Sequence, residues 1–184
     1  MRPCLRAGYC HLSHIETEVN DSHKYLIAEI TSSDEPFLWE MLYQAIHVPA
    51  GGVAPPRQIV DSPELSRYVR RWGQENDFGL KAVPADELQP VGAVWLRLMT
   101  AENKGYGYID DLTPELSIAV FAEHRGKGVG TRLLNELFES IAGKYKAISL
   151  SVSDDNPAKR LYQRLGFEII NQEGTSLTMK KNLV

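Results

Sequence analysis

The feature that most restricts this chain is a glycine-rich loop, Arg125-Gly126-Lys127-Gly128-Val129-Gly130-Thr131. It lies between an apolar strand-like run, Glu115 to Phe121, and an amphipathic helical stretch, Gly128 to Gly143. Glycines permit left-handed backbone angles and close approach, so successive N–H groups can converge on an anion while the helix start adds its partial positive charge. Arg125 and Lys127 add full charges. The same glycines would equally serve a plain strand-to-helix turn. A P-loop is excluded because no Lys-Ser or Lys-Thr pair follows at the required spacing. A dinucleotide or adenosylmethionine turn would suit Gly126-x-Gly128-x-Gly130 with Asp154-Asp155 after the next strand. Against it, Ala122-Glu123-His124 separates strand from glycines, and too little chain follows for a doubly wound sheet.

The 184 residues are 43% hydrophobic and 24% charged, which suits one globular domain able to bury a core. A net charge of -4 offers no broad basic surface, so no nucleic-acid partner is expected. No window approaches the roughly 18 consecutive apolar residues of a membrane helix. The start MRPCLRAGYCHLSH lacks a secretory apolar stretch, so no membrane association and a cytoplasmic location are expected. The two cysteines, Cys4 and Cys10, exclude a disulfide scaffold, and with His11 and His14 they match no zinc spacing, so no metal is expected. Residues 1–22 show no sustained period and end in the turn cluster Asn20-Asp21-Ser22. They read as an N-terminal extension to a domain spanning 23–184.

Within that domain, Tyr25 to Thr31 reads as a strand. Asp34-Glu35-Pro36 then opens a helix with Asp34 as N-cap and Phe37, Leu38, Met41, Leu42, Ala45 and Ile46 at helical spacing. After the connector Gly51-Gly52 to Pro55-Pro56, Asp61-Ser62-Pro63-Glu64 opens a second helix with Leu65, Tyr68, Val69 and Trp72 on one face. Phe78 to Val83 and Val91 to Leu98 form an antiparallel hairpin. Thr100 to Pro114 is too long for a tight turn and is expected to line something. Ala147 to Val152 is a strand, Asn156 to Leu165 a short helix closed by Gly166, and Phe167 to Ile170 with Thr175 to Met179 the last two strands. The order implies an α/β fold with a parallel pair at its strand, helix, strand centre.

Arg125-x-x-Gly128-x-Gly130 after an apolar strand, together with Asn156-Pro157-Ala158-Lys159-Arg160-Leu161-Tyr162-Gln163-Arg164-Leu165-Gly166-Phe167, resembles the GCN5-related N-acetyltransferase (GNAT) family. The resemblance covers Phe78 to about Met179 well, the early helices loosely and the first two dozen residues not at all. It implies the GNAT fold: a mixed, mostly antiparallel sheet with a central splayed parallel strand pair and flanking helices. It further implies acetyl-CoA as acyl-donor cosubstrate. The diphosphate would rest on the main-chain N–H groups of Gly126, Lys127, Gly128, Val129, Gly130 and Thr131, and the pantetheine would run along Ile118, Ala119 and Val120. Arg125 and Asn156 would join this cofactor set, although the family's Asn often stands one residue farther from the tyrosine, the place of Asp155 here.

Acyl transfer to an amine needs a base, an oxyanion donor and an acid for the thiolate. The resemblance assigns the acid to Tyr162 and suggests Glu115 as base, working through a water, with Asp110 and Asp111 as rivals; a core tyrosine and solvated acids are the competing readings. The oxyanion donor would be the Val120 N–H. The family's acceptor side points to Trp39, Tyr43, Tyr106, Tyr108, Asp110 and Asp111, whose acids would suit a cationic amine such as a polyamine, aminoglycoside, lysine or protein N-terminus. The expectation is an N-acetyltransferase acting by direct attack on a primary amine of a small molecule or peptide. The alternative is a non-catalytic acyl-CoA-binding sensor. Exposed strands at the end of the sheet are compatible with a homodimer.

Overall fold

The computed structural model describes residues 24–183. The proposed extension 1–22 with Cys4, Cys10, His11 and His14 lies outside the described residues. A seven-stranded sheet runs in the order β1-β2-β3-β4-β5-β7-β6, with β1 Tyr25–Glu29, β2 Phe78–Pro84, β3 Gly92–Arg97, β4 Glu115–Val120, β5 Ala147–Ser153, β6 Glu168–Glu173 and β7 Ser176–Asn182. Every neighbouring pair is antiparallel except β4 and β5, the mixed sheet that the resemblance implies.

Alternation along the strands divides the core between two faces. On one face α3, Val129–Ser140, buries Leu133, Leu134 and Leu137 completely against Val94, Leu96, Leu116, Ile148 and Leu150, and α4, Ala158–Arg164, adds Tyr162. Each such leucine stabilises the fold by roughly 1.5–3 kcal/mol. On the other face α1, Glu35–Ala45, packs Leu38, Met41 and Leu42 with Tyr68, Val69, Trp72 and Trp95. Among the described residues no helix is long and apolar enough to cross a membrane.

Two local expectations are corrected. The second early helix, α2, spans only Pro63–Ser66 and gives way to turns ending at Arg71, φ 57°. Side chains of β3 take the carbonyls that a continuing helix would use. The Trp95 indole N–H donates to Tyr68 O at 3.1 Å, and Arg97 donates to Arg67 O and Arg70 O at 2.8 and 2.9 Å. Glu35, in the first turn of α1, accepts from the N–H groups of Arg71 and Trp72 and holds the left-handed turn. Asp34 stands at the N-cap position of α1 but does not cap with its side chain. Its carboxylate instead accepts from the Thr31 N–H at 2.8 Å and pairs with Lys81.

The parallel pair touches at one register point, Glu115 opposite Ser149, where the Ser149 N–H donates to Pro114 O at 3.0 Å. Beyond that point the strands part. Phe121 N–H donates to Val91 O, so odd-numbered β4 residues turn their main chain to β3. By alternation Ile118 and Val120 turn theirs into the gap. The splay implied by the resemblance is therefore present, with an unpaired length of β4 as one lip.

Candidate active site

The loop entering α3 has the geometry that its glycines allow. Gly126 and Gly128 adopt φ of 73° and 79°, Gly128 is the residue before the first helical turn, and a Cβ at either position would meet nothing within 4 Å. Glycine is there for backbone angle, not for space. Gly130 sits inside α3, 3.8 Å from the Ile118 side chain by its would-be Cβ, so the helix start lies close over β4. Arg125 is engaged structurally: its Nε donates to Val120 O at 2.8 Å and its Nη2 to Gln44 O at 3.4 Å. It ties the strand end, the loop and the end of α1 together, while Lys127 is exposed.

A cavity of about 1000 Å³ opens between this loop, the free lip of β4, the end of α1 and the start of α4. Ile118, Ala119, Val120, Gly126, Gly128, Val129, Gly130, Thr131, Arg125 and Asn156 all border it, so all but Lys127 of the expected cofactor set converge on one space. Asn156 shapes the wall by accepting from the Ala158 N–H at 2.9 Å, a turn that starts α4. An elongated thioester carrying a diphosphate fits these residues: loop amides and a helix start at one end, and the main-chain groups of Ile118 with the Val120 N–H, turned into the gap, along the middle.

Tyr162 borders the same cavity, 8% exposed, with its ring edge-on to Phe167 at 5.8 Å. Burial pushes its hydroxyl up to about 12, so it keeps its proton through neutral pH. Glu115 is placed differently. It is 3% exposed and absent from the cavity wall, lying on the α1 face at the point where β4 and β5 meet. Its Oε1 accepts from the Tyr68 hydroxyl and from the Gly107 N–H, both at 2.7 Å. Burial raises its carboxyl to about 7, against the lowering influence of those two donors and of Arg67.

The expected acceptor residues are divided. Tyr43 borders the cavity, its hydroxyl donating to Pro55 O at 2.9 Å. Trp39 faces a separate hollow of about 360 Å³ beside Glu40 and Arg57. Tyr106, Tyr108, Asp110 and Asp111 do not border the cavity. Tyr106 stacks on Tyr68 with centroids 6.5 Å apart, the Tyr108 hydroxyl donates to Asp111 at 2.7 Å, and Asp110 accepts from the Leu112 N–H. The 100–114 segment does line something, namely the cover over Glu115.

Two participants escaped sequence reasoning. His47 Nε2 lies 3.0 Å from Asp155 Oδ1, and this contact joins the chain after α1 to the turn before α4 across the cavity mouth. Tyr68, read as a helix-face residue, holds the buried carboxylate. Neither carries a motif, because their partners lie 108 and 47 positions away in the chain. Among the described residues no cluster of three or more His, Cys, Asp or Glu side chains could hold a metal ion.

A family model described as an acetyltransferase (GNAT) domain matches residues 85–169. The fold is similar to that of the PaiA N-acetyltransferase of Thermoplasma acidophilum, solved in complex with coenzyme A: 19% identity over 86% of this chain and 98% of that one, TM-score 0.61. It is similar to the ribosomal-protein-S18-alanine N-acetyltransferase of Escherichia coli at 14% identity, 86% and 94% coverage and TM-score 0.58. It is also similar to the spermidine/spermine N-acetyltransferase SpeG of Vibrio cholerae at 17% identity, 89% and 94% coverage and TM-score 0.56. No curated protein sequence matches the chain.

Proposed function

We propose, given that this chain carries an acetyltransferase domain of the GNAT family, that it transfers an acetyl group from acetyl-CoA to a primary amine of a small molecule or peptide by direct attack. The observation that carries this reading is the convergence on one cavity of the loop amides, the unpaired lip of β4 and Tyr162. The bound thioester supplies an activated acyl carbon and a thiolate leaving group. The N–H groups of Gly126 to Thr131 hold the diphosphate, with the positive end of α3 behind them. Ile118 pairs with the pantetheine amides as a further strand would. The Val120 N–H is the donor to the acyl oxygen, and its own C=O is kept out of the way by Arg125. Tyr162, proton retained, is the acid for the departing sulfur. Glu115, with a carboxyl near neutrality, is the base.

A second reading, an acyl-CoA-binding module without turnover, draws on the position of Glu115 away from the cavity wall. Release of free thiol from acetyl-CoA separates the two. The amines offered are spermidine, an aminoglycoside, lysine and a peptide N-terminus, the first and last suggested by the names of the structural relatives. Turnover with any of them, and losses in kcat of roughly 10²–10⁴ for Glu115→Gln and Tyr162→Phe, are expected. Coenzyme A binding without thiol release for every amine would favour the second reading. Wild-type rates in both variants would remove the acid–base assignment.

A further inference from the structure

The buried carboxylate of Glu115 is only half satisfied. Oε1 accepts two hydrogen bonds, whereas Oε2 is buried without a partner. One other side-chain oxygen in the vicinity shares that condition. Ser149 is completely buried, and its Oγ has no hydrogen-bond partner. The two are register partners across the single joined point of β4 and β5, so their side chains leave the same face of the sheet from strands about 4.8 Å apart. They are not hydrogen-bonded to each other. A buried donor and a buried acceptor left unpaired on one face of adjoining strands is an arrangement that an ordered water can bridge.

The other oxygen is held by a chain of contacts. Tyr68 donates to Oε1 and in turn accepts from the Tyr106 N–H at 2.6 Å. The Tyr106 ring stacks over the Tyr68 ring at an interplanar angle of 8°. The charged and titratable groups around the carboxylate are Arg67 and Tyr68 from the turn after α2, Tyr106 from the covering segment, and Arg97 from β3, its register partner, which is itself paired with Asp77. The Arg97 guanidinium bonds both Asp77 oxygens, so it is committed away from Glu115.

We propose that Tyr68 and Ser149 are positioning residues of Glu115: Tyr68 pins Oε1, and Ser149 orders Oε2 through one bridging water. The proposal rests on the reading of Glu115 as the base. Neither Tyr68 nor Ser149 changes its protonation state.

The test is a carbon NMR titration of protein labelled at the glutamate carboxyl carbons, with Glu115→Gln identifying the resonance. It needs no turnover. In the wild type the midpoint is expected near 7. Tyr68→Phe removes a donor to the carboxylate and should move the midpoint up by about one pH unit, with Ser149→Ala shifting it the same way by less. Both variants keep the buried volume nearly intact, and thermal melts check that they fold. The acid limb of the kcat/KM profile should move with the titration. An unmoved midpoint in folded Tyr68→Phe overturns the role of Tyr68, and an unmoved midpoint in Ser149→Ala overturns that of Ser149. Full activity in Glu115→Gln together with shifted midpoints would instead overturn the base assignment and leave the positioning standing.

Discussion

At Glu115 the carboxyl is raised from an ordinary 4.5 to about 7 because burial penalises its charge more than Tyr68, Gly107 and Arg67 reward it. The folded protein therefore binds this proton more tightly than the unfolded chain does. Between pH 4.5 and 7 the folded state carries more of it, so the group's contribution to stability falls as pH rises through that window. Above the window the loss is on the order of 3 kcal/mol. Glu115→Gln should thus melt higher than wild type at pH 8 and lose that advantage by pH 4.5. An equal difference at both pH values in calorimetry would show that the carboxyl is not perturbed. The neighbouring glycines are part of the same device. A Cβ on Gly107 would stand 2.7 Å from Leu150 C and 2.9 Å from Ser151 N, and one on Gly105 would fall on the Glu115 carboxylate itself. Glu115 and Tyr162 could be singled out in the sequence because each sits at a fixed distance from a motif. Tyr68 and Ser149 were not, since nothing local distinguishes them from other half-buried residues.

Elements were readable wherever hydrophobic period and terminal signals agreed. The run from Gly128 to Gly143 yields α3 at Val129–Ser140 between two glycines with positive φ, and Asn156 starts and Gly166 ends the stretch containing α4. The same rules fail at α2, whose face residues Tyr68, Val69 and Trp72 are buried as expected but on turns. Arg97 is the cause and also the cement. Its guanidinium is almost fully buried, bidentate to Asp77 and bonded to two carbonyls of the segment that would otherwise be helix. Removing one partner of a buried pair leaves the other charge uncompensated. Arg97→Met should therefore destabilise by about 3–5 kcal/mol in urea unfolding, and Asp77→Leu in the same background should recover part of the loss. A loss below about 1 kcal/mol would place this pair with ordinary surface ion pairs.

Across the whole molecule the sheet is two antiparallel units, β1 to β4 and β5 with β7 and β6, joined at one parallel register point. The helix α3 packs chiefly on β1 to β4 while its leucines share one core with Ile148 and Leu150 of β5, and α4 packs on β5, so that joint and the shared core span the seam. A ligand lying in the splay would pair with both lips and couple the units. Coenzyme A should slow amide hydrogen exchange at Ile118 and Val120 as well as at Gly126 to Thr131. Protection confined to the loop would mean that the splay does not receive the ligand's middle. The end of α1 is held to the loop by Arg125 and approaches the turn before α4 through His47 and Asp155, so the cavity mouth is bounded by three segments distant in sequence.

The amino-acid sequence by itself determined the strand and helix order, the glycine loop before α3 and most residues of the cavity wall. Each of these depends on neighbours within a turn or a strand, where φ, hydrophobic period and capping act. Tertiary structure alone decided that α2 stops after one turn, that Asp110 and Asp111 spend their carboxylates on the covering segment, and that Glu115 is sealed beneath Tyr68 and Gly107. Those outcomes turn on which buried donor meets which acceptor once distant segments pack, and desolvation gives such pairings their weight only after the core has closed.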